Sequence, residues 1–86
     1  MNKETFITTE QEKTIDMLTK QIQSLPGGKY IKVFRSLTGT VRLQDDRTEE
    51  TRKHTRMFCV CSNDTPGLIW EKMMRAYEGI AKELSK

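Results

Sequence analysis

Eighty-six residues, 35% of them hydrophobic and 31% charged, make one domain with a thin core, since a chain of this size buries only about 60% of the surface it exposes when unfolded. That size argues against a multi-step enzyme built around a large cofactor cleft, and no apolar run approaches the roughly 20 residues of a membrane-spanning helix. Fifteen basic residues against twelve acidic ones give a net charge of +3, and the excess belongs to residues 29–56, where Lys29, Lys32, Arg35, Arg42, Arg47, Arg52, Lys53 and Arg56 face only Asp45, Asp46, Glu49 and Glu50.

Residues 1–7 are expected to be a flexible N-terminal segment of a single domain over 1–86. They carry no apolar stretch of the kind a secretory signal needs, so a cytoplasmic protein is expected. The first helix is predicted over 8–25, with Thr9 as N-cap and Glu12 completing a capping box. Ile15, Leu18, Ile22 and Leu25 recur every three or four residues and form one apolar stripe, and Pro26-Gly27-Gly28 ends the helix. Residues 29–37 are rich in β-branched and aromatic side chains and predict a strand. Its alternation puts Ile31, Val33 and Leu37 on one face and Tyr30, Lys32, Phe34 and Ser36 on the other. Thr38-Gly39 turns the chain into a second strand over 40–44, with Val41 and Leu43 inward and Arg42 outward, so that the two form a hairpin.

Residues 45–54 contain no hydrophobic side chain and predict a mobile polar loop or a hairpin tip over 45–55. Residues 56–61 form a third strand, apolar on both faces and therefore a candidate for the central position. Thr65 as N-cap and Pro66 at the first position open a helix over 66–84. Ile69, Met73, Ala76, Tyr77, Ile80 and Leu84 make its buried face, and Gly79 would permit close packing. The order α-β-β-β-α with short connections predicts an α+β two-layer sandwich, a three-stranded antiparallel sheet with both helices on one face. The other face is open.

That open face carries the functional expectation. Tyr30, Lys32, Phe34 and Arg42, joined by Arg56 and Phe58, would interleave aromatic rings with cations. Rings stack on unpaired bases while cations follow phosphates, so Tyr30 and Phe34 are assigned to stacking and Lys29, Lys32, Arg35, Arg42, Arg52, Lys53 and Arg56 to phosphates. Arg35 is the exception by parity, because alternation sets it on the helix-covered side. Duplex RNA, read through phosphates and 2′-hydroxyls, is a second ligand for the same charges. The rival reading makes the aromatic face a protein interface, either of a homodimer or of an inhibitor with its target. Trp70 caps the edge of the core or, with Met74, joins a dimer contact. The segment 47–56 either clamps a phosphate backbone or is a solvated tip.

Chemistry of other kinds finds little support. Cys59 and Cys61 are one residue apart, poorly placed for a mutual disulfide, and are read as reduced core residues of a strand. With His54 they lack the spacing of a zinc knuckle or ribbon, so no metal is assigned. His54 stands among cations without a neighbouring orienting carboxylate, and no phosphate loop, nucleophile elbow or dinucleotide fingerprint occurs. No catalytic residue and no cofactor is therefore assigned.

The element order resembles that of the double-stranded RNA-binding domain and of the small RNA-binding subunits of the signal recognition particle. The first of these families begins its last helix with a basic cluster and has a Gly-Pro-x-His loop. Here the helix begins Thr65-Pro66-Gly67-Leu68-Ile69-Trp70-Glu71, and neither Gly27-Gly28 nor Thr38-Gly39-Thr40 matches the loop, so no site is carried over. The short length, the opening Met1-Asn2-Lys3 and the basic stretch Gly28-Lys29-Tyr30-Ile31-Lys32-Val33-Phe34-Arg35 are similar to small accessory, anti-defence proteins of T-even-type phages, among them the toxin-inhibitory factors. That resemblance implies a basic RNA-binding protein of the host cytoplasm that antagonises a ribonuclease toxin without doing chemistry itself.

Overall fold

In the computed structural model, which describes residues 7–85, helix α1 (Thr9–Gln23) is capped one residue before the predicted position. Thr8 Oγ1 accepts from the Gln11 N–H at 3.0 Å, and Gln11 Oε1 accepts from the Thr8 N–H at 2.9 Å. Consecutive Thr8-Thr9 and Gln11-Glu12 offer two equivalent capping registers. Tertiary contact selects the first, because the Gln11 amide also donates to Cys61 O at 2.8 Å and Asp64 O at 3.2 Å, which an ionised Glu12 could not do. Residues 1–6 of the segment expected to be flexible lie outside the described residues. Ile7, its last residue, is buried in the core, and its N–H donates to Leu37 O at 3.1 Å.

The chain leaves α1 through a tight turn. Gly27 has φ +82°, and a Cβ on Gly28 would run into the Ile22 carbonyl. This geometry winds Gly28–Tyr30 into a short 3-10 turn, so strand β1 (Ile31–Arg35) starts two residues later than predicted. Strand β2 (Thr40–Asp45) follows the Gly39 turn, and strand β3 (Thr55–Cys59) follows a second 3-10 turn at Thr51–Lys53. The polar connection between β2 and β3 is thus partly structured, with the Thr48 N–H and Thr51 Oγ1 hydrogen-bonded at 2.9 Å. The strands form an antiparallel sheet in the order β1-β2-β3. Strand β2 is central and β3 is an edge, contrary to the expectation drawn from the apolar character of β3. Short connections impose the meander, and the two faces of β3 meet different surroundings.

Helix α2 (Pro66–Leu84) begins as the sequence predicts, with Thr65 Oγ1 accepting from the Leu68 N–H. Ile15, Leu18 and Ile22 of α1 and Ile69, Met73, Ala76 and Ile80 of α2 bury themselves against Ile31, Val41 and Leu43 of the sheet. At about 25 cal/mol per Å² of apolar area, this single layer is the main source of stability. Leu37 was expected on the buried face, but it lies past the end of β1 and is exposed. Cys59 and Cys61 are free and exposed rather than core, since Cys59 points to the open face and Cys61 lies beyond the strand. The buried residue between them is Val60.

Candidate nucleic-acid interface

Register decides which side chains reach the open face. Phe34, Arg42 and Met57 stand directly opposite one another across the three strands, and Lys32, Gln44 and Thr55 form the neighbouring row. Directly opposed residues share a face, so these two rows, with Thr40 and Cys59, make up the uncovered surface. Phe34 is 41% exposed and Met57 63% exposed. The Arg42 guanidinium lies 4.5 Å from the Phe34 ring centroid, a cation–π contact that holds the arginine flat against the ring. A shallow hollow of about 260 Å³ runs along this surface, lined by Phe34, Arg42, Met57 and Thr40.

Asp46 organises the hairpin end of the face. Its carboxylate accepts from Arg52 Nε at 2.6 Å and lies 3.7 Å from Lys32 Nζ. The hydrogen bond from Arg52 holds its pKa below the ordinary 3.8, with help from the charges of Arg52 and Lys32. Lys32 and Arg52 therefore meet at Asp46, and Lys32 shares its face with Phe34 and Arg42, whereas the sequence puts Arg52 in a separate loop cluster with Lys53 and Arg56. The other assigned residues are placed elsewhere.

Tyr30 is not in the strand. Its ring carries the Arg47 guanidinium at 4.5 Å and Lys29 Nζ at 5.2 Å, so it belongs to a cationic cluster at the end of the sheet. Arg47, not assigned from the sequence, is a key residue of that cluster. Its N–H and guanidinium donate to the buried Asp45 carboxylate at 3.0 and 3.3 Å. Lys53 sits at the loop with Glu50 at 3.5 Å. Arg35 is on the helix side, as parity requires, with Asp16 at 3.5 Å.

Arg56 and Phe58 correct the sequence reading. The register pairs them with Leu43 and Val41, which turns both toward the helices. Arg56 lies against Gly79, where a Cβ would stand 2.8 Å from its Nε, and it pairs with Glu83 at 3.6 Å. The same Glu83 lies 3.9 Å from His54 Nδ1, so His54 has the carboxylate neighbour that the local sequence does not show. Met57 takes the outward place in their stead. The signal was present in the sequence: Arg56, Phe58 and Val60 alternate with Thr55, Met57 and Cys59, and only the first set contains a β-branched aliphatic and a large ring suited to the core.

Most of the basic excess is thus engaged by carboxylates of the chain itself. Arg42 and Lys29 make no ion pair among the described residues. Within the same residues no group of three metal-ligating side chains is assembled, and no helix is long and apolar enough to cross a membrane. Comparison with protein-family models, with curated proteins and with solved structures finds no match.

Proposed function

We propose that the open face of the sheet binds RNA, with unpaired bases stacking on Phe34 and phosphates held by Lys32, Arg42 and Arg52, and that the protein acts by occupying its ligand rather than by catalysis. The observation that carries this reading is the Phe34–Arg42 pair, an exposed ring with a guanidinium 4.5 Å from its centroid at the centre of an uncovered sheet. A base can stack beside that pair while the arginine reaches a phosphate, an arrangement worth about 1–3 kcal/mol per stacked base. Lys29, Tyr30 and Arg47 extend the positive surface at one end. A homodimer is the proposed working unit, since two faces on one strand gain avidity. A ribonuclease toxin, antagonised through its RNA, is the target that the resemblance to phage accessory proteins implies.

The second reading has its own observation. Met57, 63% exposed beside Phe34, gives the face an apolar centre of the kind that protein partners cover. Fluorescence anisotropy separates the two, using labelled single-stranded RNA, duplex RNA and single-stranded DNA at low and moderate salt. Micromolar binding that weakens steeply with salt is expected, strongest for single strands. The double variant Lys32→Ala, Arg42→Ala should lower affinity and reduce the salt slope by about two. Phe34→Ala should lower affinity while leaving that slope unchanged. No binding at low salt by a folded protein would overturn the RNA reading in favour of a protein partner.

A further inference from the structure

Among the described residues strand β3 is an open edge of the sheet, and its register fixes which main-chain groups face outward. The Val60 N–H donates to Gly39 O at 2.7 Å, so Thr40 and Cys59 form a non-hydrogen-bonded pair, as do Arg42 with Met57 and Gln44 with Thr55. The N–H and C=O groups of Thr55, Met57 and Cys59 therefore point away from β2. The chain engages two of these carbonyls itself: Cys59 O accepts from Lys72 Nζ at 2.7 Å, and Thr55 O accepts from Arg56 Nη1 at 3.2 Å. These cations blunt both ends of the edge. Between them, Met57 presents a donor and an acceptor to any further strand.

Beside this edge a groove of about 480 Å³ runs between β3 and α2, lined by Arg56, Met57, Phe58, Lys72, Arg75 and Ala76. None of its lining residues is acidic. Lys72 holds Asp64 at 2.7 Å and Arg56 holds Glu83 at 3.6 Å, while Arg75 is exposed and makes no ion pair among the described residues. We infer that this edge accepts an extended acidic segment of a partner protein as a fourth strand. Main-chain hydrogen bonds to Met57 give the affinity and the groove gives the specificity. Side chains of an added strand alternate between the two sides of the sheet. The residue opposite Met57 lies on the open face beside that exposed thioether and takes an apolar side chain. Its neighbours turn into the groove, where Arg75 is the lining cation without an ion pair among the described residues, and take carboxylates. A second copy of this chain fits less well, because β3 itself (Thr55–Cys59) carries no acidic residue to offer the groove. The site lies on the opposite edge from β1 and does not depend on the RNA reading.

The test titrates the full chain with a capped peptide of about ten alternating glutamate and valine residues, followed by amide exchange and chemical-shift mapping. Exchange of the Met57 amide should slow by at least about tenfold at saturation. Methylating the peptide nitrogens that face β3 should weaken binding by about tenfold or more, and Arg75→Glu, an exposed substitution that spares the core, should weaken it comparably. Three results would overturn the inference. One is equal affinity for the methylated peptide. Another is protection of Met57 that rises with protein concentration in the absence of peptide, which would mean that a second copy occupies the edge. The third is displacement of the peptide by an RNA oligonucleotide with Met57 unprotected throughout, which would mean simple anion binding.

Discussion

A single buried amide, Gln11, joins the start of α1 to the connection between β3 and α2. Its carbonyl oxygen caps α1 through Thr8, and its NH₂ group donates to Cys61 O and Asp64 O in the connection between β3 and α2. With 6% of its surface exposed, removing the side chain leaves those carbonyls poorly solvated. Gln11→Ala should cost about 2–3 kcal/mol in urea denaturation, the sum of the lost acceptor for the Thr8 N–H and a lost buried hydrogen-bond donor, while the Thr8 cap on the Gln11 N–H remains. Gln11→Glu keeps the acceptor for Thr8 but turns a carboxylate onto two carbonyls, so at neutral pH it should cost at least as much. A loss below about 0.5 kcal/mol for both would mean that water replaces the amide without penalty. The capping pattern was legible in the sequence, but the choice of register was not, since the deciding acceptors lie 50 and 53 residues away.

At the scale of elements, two glycines show opposite demands. Gly39 turns the β1–β2 hairpin at φ +100°, and a Cβ there would meet the Val60 carbonyl. Gly67, in the first turn of α2, has only Thr65 Oγ1 at 4.0 Å near its Cβ position. Gly39→Ala should therefore destabilise the fold by about 2–4 kcal/mol, combining left-handed backbone strain with a displaced edge. Gly67→Ala should stabilise it by up to about 1 kcal/mol, through lower unfolded-state entropy and better helix propensity. Thermal melts of the two variants should shift in opposite directions, and a common direction would refute the assignment. Element types and order followed from periodicity because each helix needs one apolar stripe and each strand an alternation. Strand β3 resisted that logic. Met57 and Phe58 are both apolar, so apolarity alone does not choose between them; the alternation of Arg56, Phe58 and Val60 points Phe58 to the helices, and pairing with β2 agrees. The same pairing removes Arg56 from the open face, while the Gly27-Gly28 turn removes Tyr30 from the strand.

For the molecule as a whole, formal charge overstates the free charge. Six of the eight cations in residues 29–56 are held by carboxylates of the chain, among them Lys32 and Arg52 by Asp46. Local composition located this positive surface, but pairs such as Arg35–Asp16 and Arg56–Glu83 span 19 and 27 residues and appear only in the fold. These pairs also set the response to acid. Asp64 accepts from Lys72 Nζ at 2.7 Å and from the Cys61 N–H at 3.0 Å, and both interactions hold its pKa below 3.8, Lys72 contributing most. Asp46 is lowered in the same direction, first by Arg52. A carboxylate whose folded pKa is depressed binds its proton more readily in the unfolded chain. Its stabilisation is therefore complete well above 3.8 and is lost as pH falls through the folded value. Stability should stay level from neutral pH to about pH 5 as far as these two groups are concerned, then decline below about pH 4. Asp64→Asn should be less stable than the parent at pH 7 and should show a shallower acid decline, the two curves converging at low pH. Added salt should weaken the exposed Asp46 pairs more than the Asp64 pair, whose carboxylate is 7% exposed. Urea denaturation of parent and variant across this pH range, at two salt concentrations, measures both effects. Parallel curves for the two proteins would show that the Asp64–Lys72 pair does not govern the acid limb.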